Sequence, residues 1–510
     1  MRILLWHGWL LEGSGSNVGA ARVAEVLRSA GHDVALICQE PHPERYPWID
    51  AHGTLGAHGP ATLSPNPAST STGRCVLLRP LIGPMLPVFV LDRYEGFDDV
   101  RRFVDLTDED LETYLSSNVT ALRAAAEWHD SEICIVGHAV PGAVIGKRAL
   151  GPKQYIVKIH GSDIEYAMRA QARYRDLAQE GMVAARAVVG PSTDVLERCA
   201  ALVPGIEGLM RIVSPGVDVA SFRPMPRIAA LQATADSLDA DPRTERGRRS
   251  SLDANVEQAL ARRDADALDA LAAGYDQEVP DPEAASRLRA LSDREGPIVG
   301  YLGKLIPQKG VELMLSALRS TRHDASGLIV GFGSYREWLA ALAIALRRRD
   351  TEAIDWLRDI RAMPVEGAVG QGSDDERRDV TFTGRLDHRY APGALAAMDV
   401  LVVPSMLEEA FGMVAAEGAA AGALPLVARH SGLAEVAEAL EAEIVRPGLL
   451  SFEPGEGAID RLASGVDRLL SLRSAERREL GRSLSTFVAR EWSWERTAAR
   501  LLEAADPNSV

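Results

Sequence analysis

Two glutamates eight residues apart, Glu409 and Glu417, stand in the run Pro404-Ser405-Met406-Leu407-Glu408-Glu409-Ala410-Phe411-Gly412-Met413-Val414-Ala415-Ala416-Glu417-Gly418. The apolar segment Val400 to Val403 before it reads as a strand, so Glu409 falls in the following loop and Glu417 inside the next helix. With that helix beginning near Phe411, its first N–H groups lack partners within the helix and face whatever Glu409 faces, a setting that favours phosphate. Glu417, about two turns deeper, offers a carboxylate suited to the paired hydroxyls of a ribose.

A second group is basic. In Gly303-Lys304-Leu305-Ile306-Pro307-Gln308-Lys309-Gly310 two lysines flank a proline turn and close on a glycine that opens a helix. Two ammonium groups over one anion would meet the charge of a departing diphosphate. Loop lysines are ordinarily solvated, so the pair gains meaning only beside the acidic run. A third group, Lys158-Ile159-His160-Gly161-Ser162-Asp163, ends a predicted strand, the edge at which open α/β sheets bind ligands. His160 is its candidate catalytic group; His138 ends the preceding strand in the same way and is the weaker candidate. The fourth is the turn Gly13-Ser14-Gly15-Ser16-Asn17-Val18-Gly19, leading into a helix over Ala20 to Ala30. Gly15 and Ser16 allow a phosphate or sugar to approach the backbone there. The spacing is neither GxGxxG nor a phosphate loop with a Lys-Ser/Thr end.

These groups must be carried by strands. Ile3 to Trp6, Val34 to Cys38, Val88 to Leu91, Ile133 to Val136, Tyr155 to Ile159 and Ala187 to Val189 form one series of short apolar runs. Ile298 to Leu302, Leu328 to Val330, Val380 to Phe382, Val400 to Val403 and Leu424 to Val427 form another. Fully apolar strands alternating with helical periodicity predict parallel sheets covered on both faces, hence two doubly wound α/β domains. The expected division is 1–225, a helical or partly disordered insert at 226–296 that is loosest around 240–251, and a second domain at 297–489. A charged insert is expected over 340–378, and a Ser/Thr/Pro/Gly-rich loop over 51–74.

At 510 residues two domains are the natural expectation. The net charge of −16 argues against a nucleic-acid partner. Cys38, Cys75, Cys134 and Cys199 are scattered without a CxxC pair and read as core thiols of a reducing compartment. No stretch is apolar enough to span a bilayer, so a cytoplasmic protein without an integral membrane segment is expected, although its acceptor can still be lipid-bound.

Taken in order, the motifs resemble the family 4 retaining glycosyltransferases of the GT-B fold. Those matched are Gly15; Gly31-His32-Asp33-Val34; His160-Gly161-Ser162; Gly190-Pro191-Ser192; and Ser214-Pro215-Gly216-Val217-Asp218 with Phe222-Arg223-Pro224. Gly303-Lys304-Leu305, Lys309-Gly310, Gly331-Phe332-Gly333, Phe382-Thr383-Gly384-Arg385, the pair Glu409 and Glu417, and Gly432-Leu433-Ala434-Glu435 complete the set. The resemblance implies two Rossmann-like domains facing a central cleft, the second binding a nucleotide-diphosphate sugar, UDP-linked hexose on family frequency. It implies that Lys304 and Lys309 neutralise the diphosphate, Glu409 lies near the donor sugar and Glu417 holds the ribose. Phe411, Gly412, Met413 and Val414 would then supply backbone to sugar and phosphate, Gly333, Arg385 and Leu386 would line the donor site, with Leu386 at the base, and His160 would stand beside the reacting sugar. The final helix, over 490–510, would pack back on the first domain. Departures are Lys304, where Arg is usual, Gly418, where Ala is commoner, and the inserts.

The chemistry so implied is hexosyl transfer with retention to a small-molecule, glycan or lipid-linked acceptor, with no metal and no cofactor. Asp239-Ala240-Asp241 and Asp264-Ala265-Asp266 resemble DxD metal motifs but lie in the insert, away from any strand end. A sugar phosphorylase of the same fold is the nearest alternative, and a catalytically silent binding protein another. A dinucleotide-dependent oxidoreductase built on Gly13 to Gly19, with Glu40 as ribose acid, leaves the second sheet unexplained.

Overall fold

The computed structural model describes residues 1–66, 73–91, 94–365 and 379–506. The chain divides into two compact units, Met1–Gly216 joined by the segment from Trp492 onward, and Val217–Glu491. The boundary therefore falls before Val217 rather than at 225, and the segment 226–296 belongs to the second unit.

In the first unit β1 (Arg2–Trp6) lies between β2 (Asp33–Ile37) and β9 (Ile133–Gly137), parallel to both, with Ile3 opposite Val34 and Ile133. Ile3 to Trp6 are all buried because both faces of the sheet are covered. β10 (Ile156–Lys158), β11 (Ala187–Gly190) and β12 (Met210–Ile212) extend the sheet beyond β9. On the other side β2 pairs with β6 (Arg74–Pro80) and β6 with β3 (Ala51–Gly56), which carries the short antiparallel partners β4 (Gly59–Pro60) and β5 (Ser64–Pro65).

Here the structure corrects the sequence reading. The stretch from Ala51 was expected as a loop, yet it begins with β3. Its two glycines and its polar residues hide it from a hydropathy pattern. Val88 to Leu91 is not a strand of the main sheet. β7 (Met85–Val88) instead pairs with β8 (Asp99–Arg102) in a separate two-stranded sheet, while Val90 and Leu91 are exposed.

The helix Gly15–Ser29 follows β1, and the Ser14 hydroxyl caps it by accepting from the Asn17 N–H at 3.3 Å. The helix Trp494–Ala505 also belongs to this unit, where the Thr497 hydroxyl donates to the Ser214 carbonyl at 2.9 Å. The four cysteines are free and buried.

The second unit has a six-stranded parallel sheet in the order β15 (Val380–Phe382), β14 (Ser326–Phe332), β13 (Ile298–Lys304), β16 (Val400–Val403), β17 (Leu424–Ala428), β18 (Ser451–Phe452). The segment 226–296 supplies helices Arg227–Asp239, Asp253–Arg262, Ala265–Leu271 and Ala284–Ser292. Residues 240–251, expected to be loosest, are anchored. Arg248 is 1 % exposed and its guanidinium donates to both carboxylate oxygens of Glu337 at 2.7 and 2.9 Å. Tyr275 donates to the same carboxylate at 2.8 Å, and Arg248 also reaches Asp253 at 2.7 Å. Composition could not reveal this anchor, because a buried ion pair looks like any other charge in a polar segment. The second insert starts as two helices, Arg336–Arg348 and Thr351–Arg361; residues 366–378 of it lie outside the described residues.

Candidate active site

In the second unit the acidic and basic motifs meet. β16 ends at Val403, and the loop after it brings Glu409 to the turn Pro307–Lys309 that follows β13. The Lys309 ammonium is ion-paired with Glu409 Oε1, and the Ser405 hydroxyl donates to the same oxygen at 2.8 Å. The Glu409 N–H donates to the Ser431 hydroxyl at 2.9 Å, and its carbonyl accepts from the Gly432 N–H at 3.0 Å. His430 Nε2 meets the Ser405 carbonyl at 2.7 Å. Glu409 is thus held from both strand-end loops that flank it.

The helix after this loop spans Met413–Ala421, two residues later than expected, with Gly412 as its cap at φ +103°. A side chain there would be strained, and its Cβ would come within 2.5 Å of Leu433. Phe411 is buried, and the N–H groups of Met413 and Val414 have no acceptor within the helix. Glu417 is 8 % exposed, and its Oε1 lies 3.7 Å from His388 Nε2. The His388 ring meets Phe222 edge-on at 6.0 Å. Gly418, where Ala is commoner, faces Leu401 so closely that a Cβ would lie 2.3 Å from it.

Lys304 ends β13 with its ammonium 5.8 Å from the Phe332 ring centre, and the Arg385 guanidinium lies 4.8 Å from the same ring. Arg385 is also ion-paired with Glu278. Lys304 and Lys309 therefore rest on different partners, the first on an aromatic face and the second on a carboxylate. Gly333 follows β14 with φ +142°, and Leu386 is buried.

The first unit holds a separate cluster at the carboxyl ends of β1, β9 and β10. His160 caps the short helix Gly161–Asp163. The buried Asp163 carboxylate accepts from the N–H groups of Ala139 at 2.7 Å, Ile164 at 3.1 Å and His160 at 3.3 Å. Burial nevertheless raises its carboxyl to about 7. The His160 ring lies 4.4 Å from His138, which is 4.5 Å from Trp9 and 6.1 Å from His7. His7 Nε2 meets Asn17 Oδ1 at 2.9 Å. Burial brings His7 down to about 4 and holds His138 and His160 well below the ordinary histidine range; the Lys158 charge adds to each shift. All three rings are therefore neutral at pH 7 and act as hydrogen-bonding groups. Lys158 itself, near Gly19 of the helix Gly15–Ser29, is brought down by burial to about 8. Gly15 opens that helix in exposed backbone, and the Ser16 hydroxyl meets that of Ser14 at 2.9 Å.

Sequence reasoning passed over Lys158, His7, Asp163, His388, Ser405 and His430 as site residues. Two of these carry a signal. Lys158 is the one charge in an otherwise apolar strand, and His7 follows β1 in the same way as His138 follows β9. Among the described residues no three His, Cys, Asp or Glu side chains are grouped to hold a metal ion, and no helix is long and apolar enough to cross a membrane.

Residues 296–471, which contain β13, both lysines and both glutamates, match the family described as Glycosyl transferases group 1. The match lies wholly within the second unit. Over 236 residues it is 30 % identical to the GDP-mannose-dependent alpha-(1-6)-phosphatidylinositol monomannoside mannosyltransferase of Mycobacterium tuberculosis, a match covering 44 % of this chain and 51 % of that one. The Lipopolysaccharide 1,2-N-acetylglucosaminetransferase of Salmonella typhimurium is 26 % identical over 219 residues, 41 % of this chain and 48 % of that one. The chain thus spans about half the length of these curated relatives.

Among solved structures, HepE of Anabaena in complex with UDP and glucose aligns with a TM-score of 0.54 at 13 % identity, covering 98 % of each chain. A glycosyltransferase of Rickettsia africae aligns with a TM-score of 0.54 at 13 % identity over 99 % of this chain and 97 % of that one. At such identities the likeness concerns the fold, which is that of the GT-B glycosyltransferases.

Proposed function

We propose that this protein is a retaining, metal-independent hexosyltransferase that moves a hexosyl group from a nucleotide-diphosphate sugar to an acceptor hydroxyl. The observation that carries the reading is the Lys309–Glu409 ion pair beside the open N-terminus of the helix Met413–Ala421, with Glu417 deeper in the same helix. Bond breaking at the anomeric carbon leaves negative charge on the diphosphate. Lys309, Lys304 and the N–H groups of Met413 and Val414 are the groups offered to it. When the diphosphate arrives, Lys309 can turn from Glu409 to phosphate, and the carboxylate is then free to accept from a sugar hydroxyl. Glu417 would hold the ribose, Leu386 would stand at the base, and Gly333 and Arg385 would line the same donor site. The acceptor attacks from the face the phosphate leaves, and phosphate oxygen takes its proton, so configuration is retained and no metal is required.

UDP-linked hexose remains the donor read from the sequence. The mycobacterial relatives, named for GDP-mannose, support GDP as the alternative base. The acceptor is a small molecule, a glycan or a lipid-linked sugar. The two curated relatives named above carry lipid-linked acceptors in their names.

The test is a screen of nucleotide sugars with the purified protein, following transfer or slow hydrolysis and the anomeric configuration by NMR. Turnover of one nucleotide hexose with retention is expected. Turnover only with inorganic phosphate would establish a phosphorylase, and inertness toward every nucleotide sugar, without binding of any nucleoside diphosphate, would overturn the reading.

A further inference from the structure

Outside the groups described above, the second unit contains a cavity of about 340 Å³ along its edge strand β15. Its walls carry five arginines, Arg287, Arg294, Arg319, Arg336 and Arg347. It shares no lining residue with the site around Lys309 and Glu417. The helices of 226–296 build one wall, so the cavity exists because this chain has that insert.

Three carboxylates also line it, and two of them are already engaged by arginines outside the lining. Asp253 is bound by Arg248 at 2.7 Å, and Glu257 by Arg348 at 2.6 Å. The third, Asp379, is shared between Arg294 at 3.4 Å and Arg347 at 4.0 Å. Arg287 is held by Asp281 at 2.7 Å and more loosely by Glu283 at 3.7 Å.

Arg336 is the telling residue. It is 5 % exposed, stacks on the Phe382 ring at 3.7 Å, and reaches Asp281 only at 3.6 Å. Its Nε is buried with no hydrogen-bond partner. A buried guanidinium donor left unmatched is unfavourable unless something else meets it. Forked guanidinium groups converging on one cavity are the arrangement that recognises phosphate oxygens. The cavity volume suits a small metabolite.

From these observations we infer a second ligand site, for a small phosphorylated metabolite whose phosphate is received by Arg336 at the floor and by Arg319 and Arg347 at the rim. Such a ligand would tie the insert to the sheet edge and stabilise the second unit by linkage.

The experiment follows the thermal midpoint of the full chain against inorganic pyrophosphate. A rise is expected in the parent protein and in Lys309→Ala, whose change lies in the proposed donor site. In the double variant Arg319→Gln/Arg347→Gln the rise should need at least about tenfold more pyrophosphate, since the loss of even one of the two charge-assisted contacts shifts affinity by that much. Arg336→Met, which keeps the stem over Phe382, should remove it. If Arg336→Met does not fold, the rim variant alone decides. The inference is overturned by the absence of any shift, by a shift lost in Lys309→Ala but intact in the rim variant, or by equal weakening in both, which would mark non-specific attraction.

Discussion

Lys309 and Glu409, one hundred residues apart in the chain, form an ion pair at the loops following β13 and β16, and Ser405 holds the same carboxylate oxygen at 2.8 Å. Both side chains are about a quarter exposed, so the pair itself adds little to stability, about 1 kcal/mol at most. Its value on the proposed reading is chemical: a cation stored beside the phosphate site and a carboxylate released when phosphate takes that cation.

Lys309→Ala should therefore leave the melting midpoint nearly unchanged while lowering turnover by the equivalent of about 2.7–4 kcal/mol, the scale of a lost preorganised charge contact. Lys304→Ala should do the same. Lys304→Arg should retain activity, since its fork can contact two phosphate oxygens. Lys304→Met separates charge from packing on Phe332. Steady-state kinetics showing turnover within about a factor of two of the parent for the alanine and methionine variants, far below that scale, would make both lysines ordinary loop residues.

Glu417→Gln should weaken nucleoside diphosphate binding without loss of fold. The carboxylate is nearly buried and its charged acceptor would be replaced by a neutral amide. A rise in the donor KM of about tenfold corresponds to one such contact. Calorimetry showing the parent affinity in this variant would remove Glu417 from the ribose.

Much of this site was legible because its chemistry lies in residue types at strand ends. Runs such as Val400 to Val403 announce a buried parallel strand, and the loop leaving the carboxyl end of such a strand in an open sheet faces ligand. The pairing of Lys309 with Glu409 was not legible, since it depends on how β13 and β16 lie side by side in the sheet. β6 was missed because Arg74 and Arg79 bracket its apolar centre, and β3 because its glycines and polar residues give it the pattern of a loop. The anchoring of 240–251 by Arg248 was hidden for a different reason: the burial of a charge is set by its partner, not by its neighbours in sequence.

That anchor yields a stability prediction. Breaking the Arg248–Glu337 pair by Arg248→Met or Glu337→Gln leaves a buried group unmatched and should destabilise the second unit by about 3–5 kcal/mol. The double substitution Arg248→Met/Glu337→Leu should recover a large part of the loss, because removing both charges removes the desolvation penalty as well. Urea unfolding in which the double variant is as unstable as the sum of the singles would refute the coupling.

Chelation gives an independent check on the proposed chemistry. With lysines and helix N–H groups meeting the leaving diphosphate, turnover should survive EDTA at full rate. Abolition by EDTA and restoration by magnesium or manganese would show that a metal does this work.

Lys158 supplies the prediction in pH. Burial lowers its ammonium from the ordinary 10.5 to about 8. Between those values the unfolded chain holds the proton that the folded chain has given up, so acidification through this window favours unfolding. Stability should fall as pH drops from 10.5 toward 8 and then level off, since below 8 both states are protonated. The whole effect amounts to about 3 kcal/mol at most. Lys158→Met keeps an apolar stem in place of the ammonium and abolishes the titration, so the variant should be more stable than the parent at pH 8, with the advantage shrinking toward pH 10.5. Denaturant unfolding of both proteins across this range measures the difference directly. Parallel stability curves would mean that the Lys158 amine stays hydrated and carries its charge at no penalty.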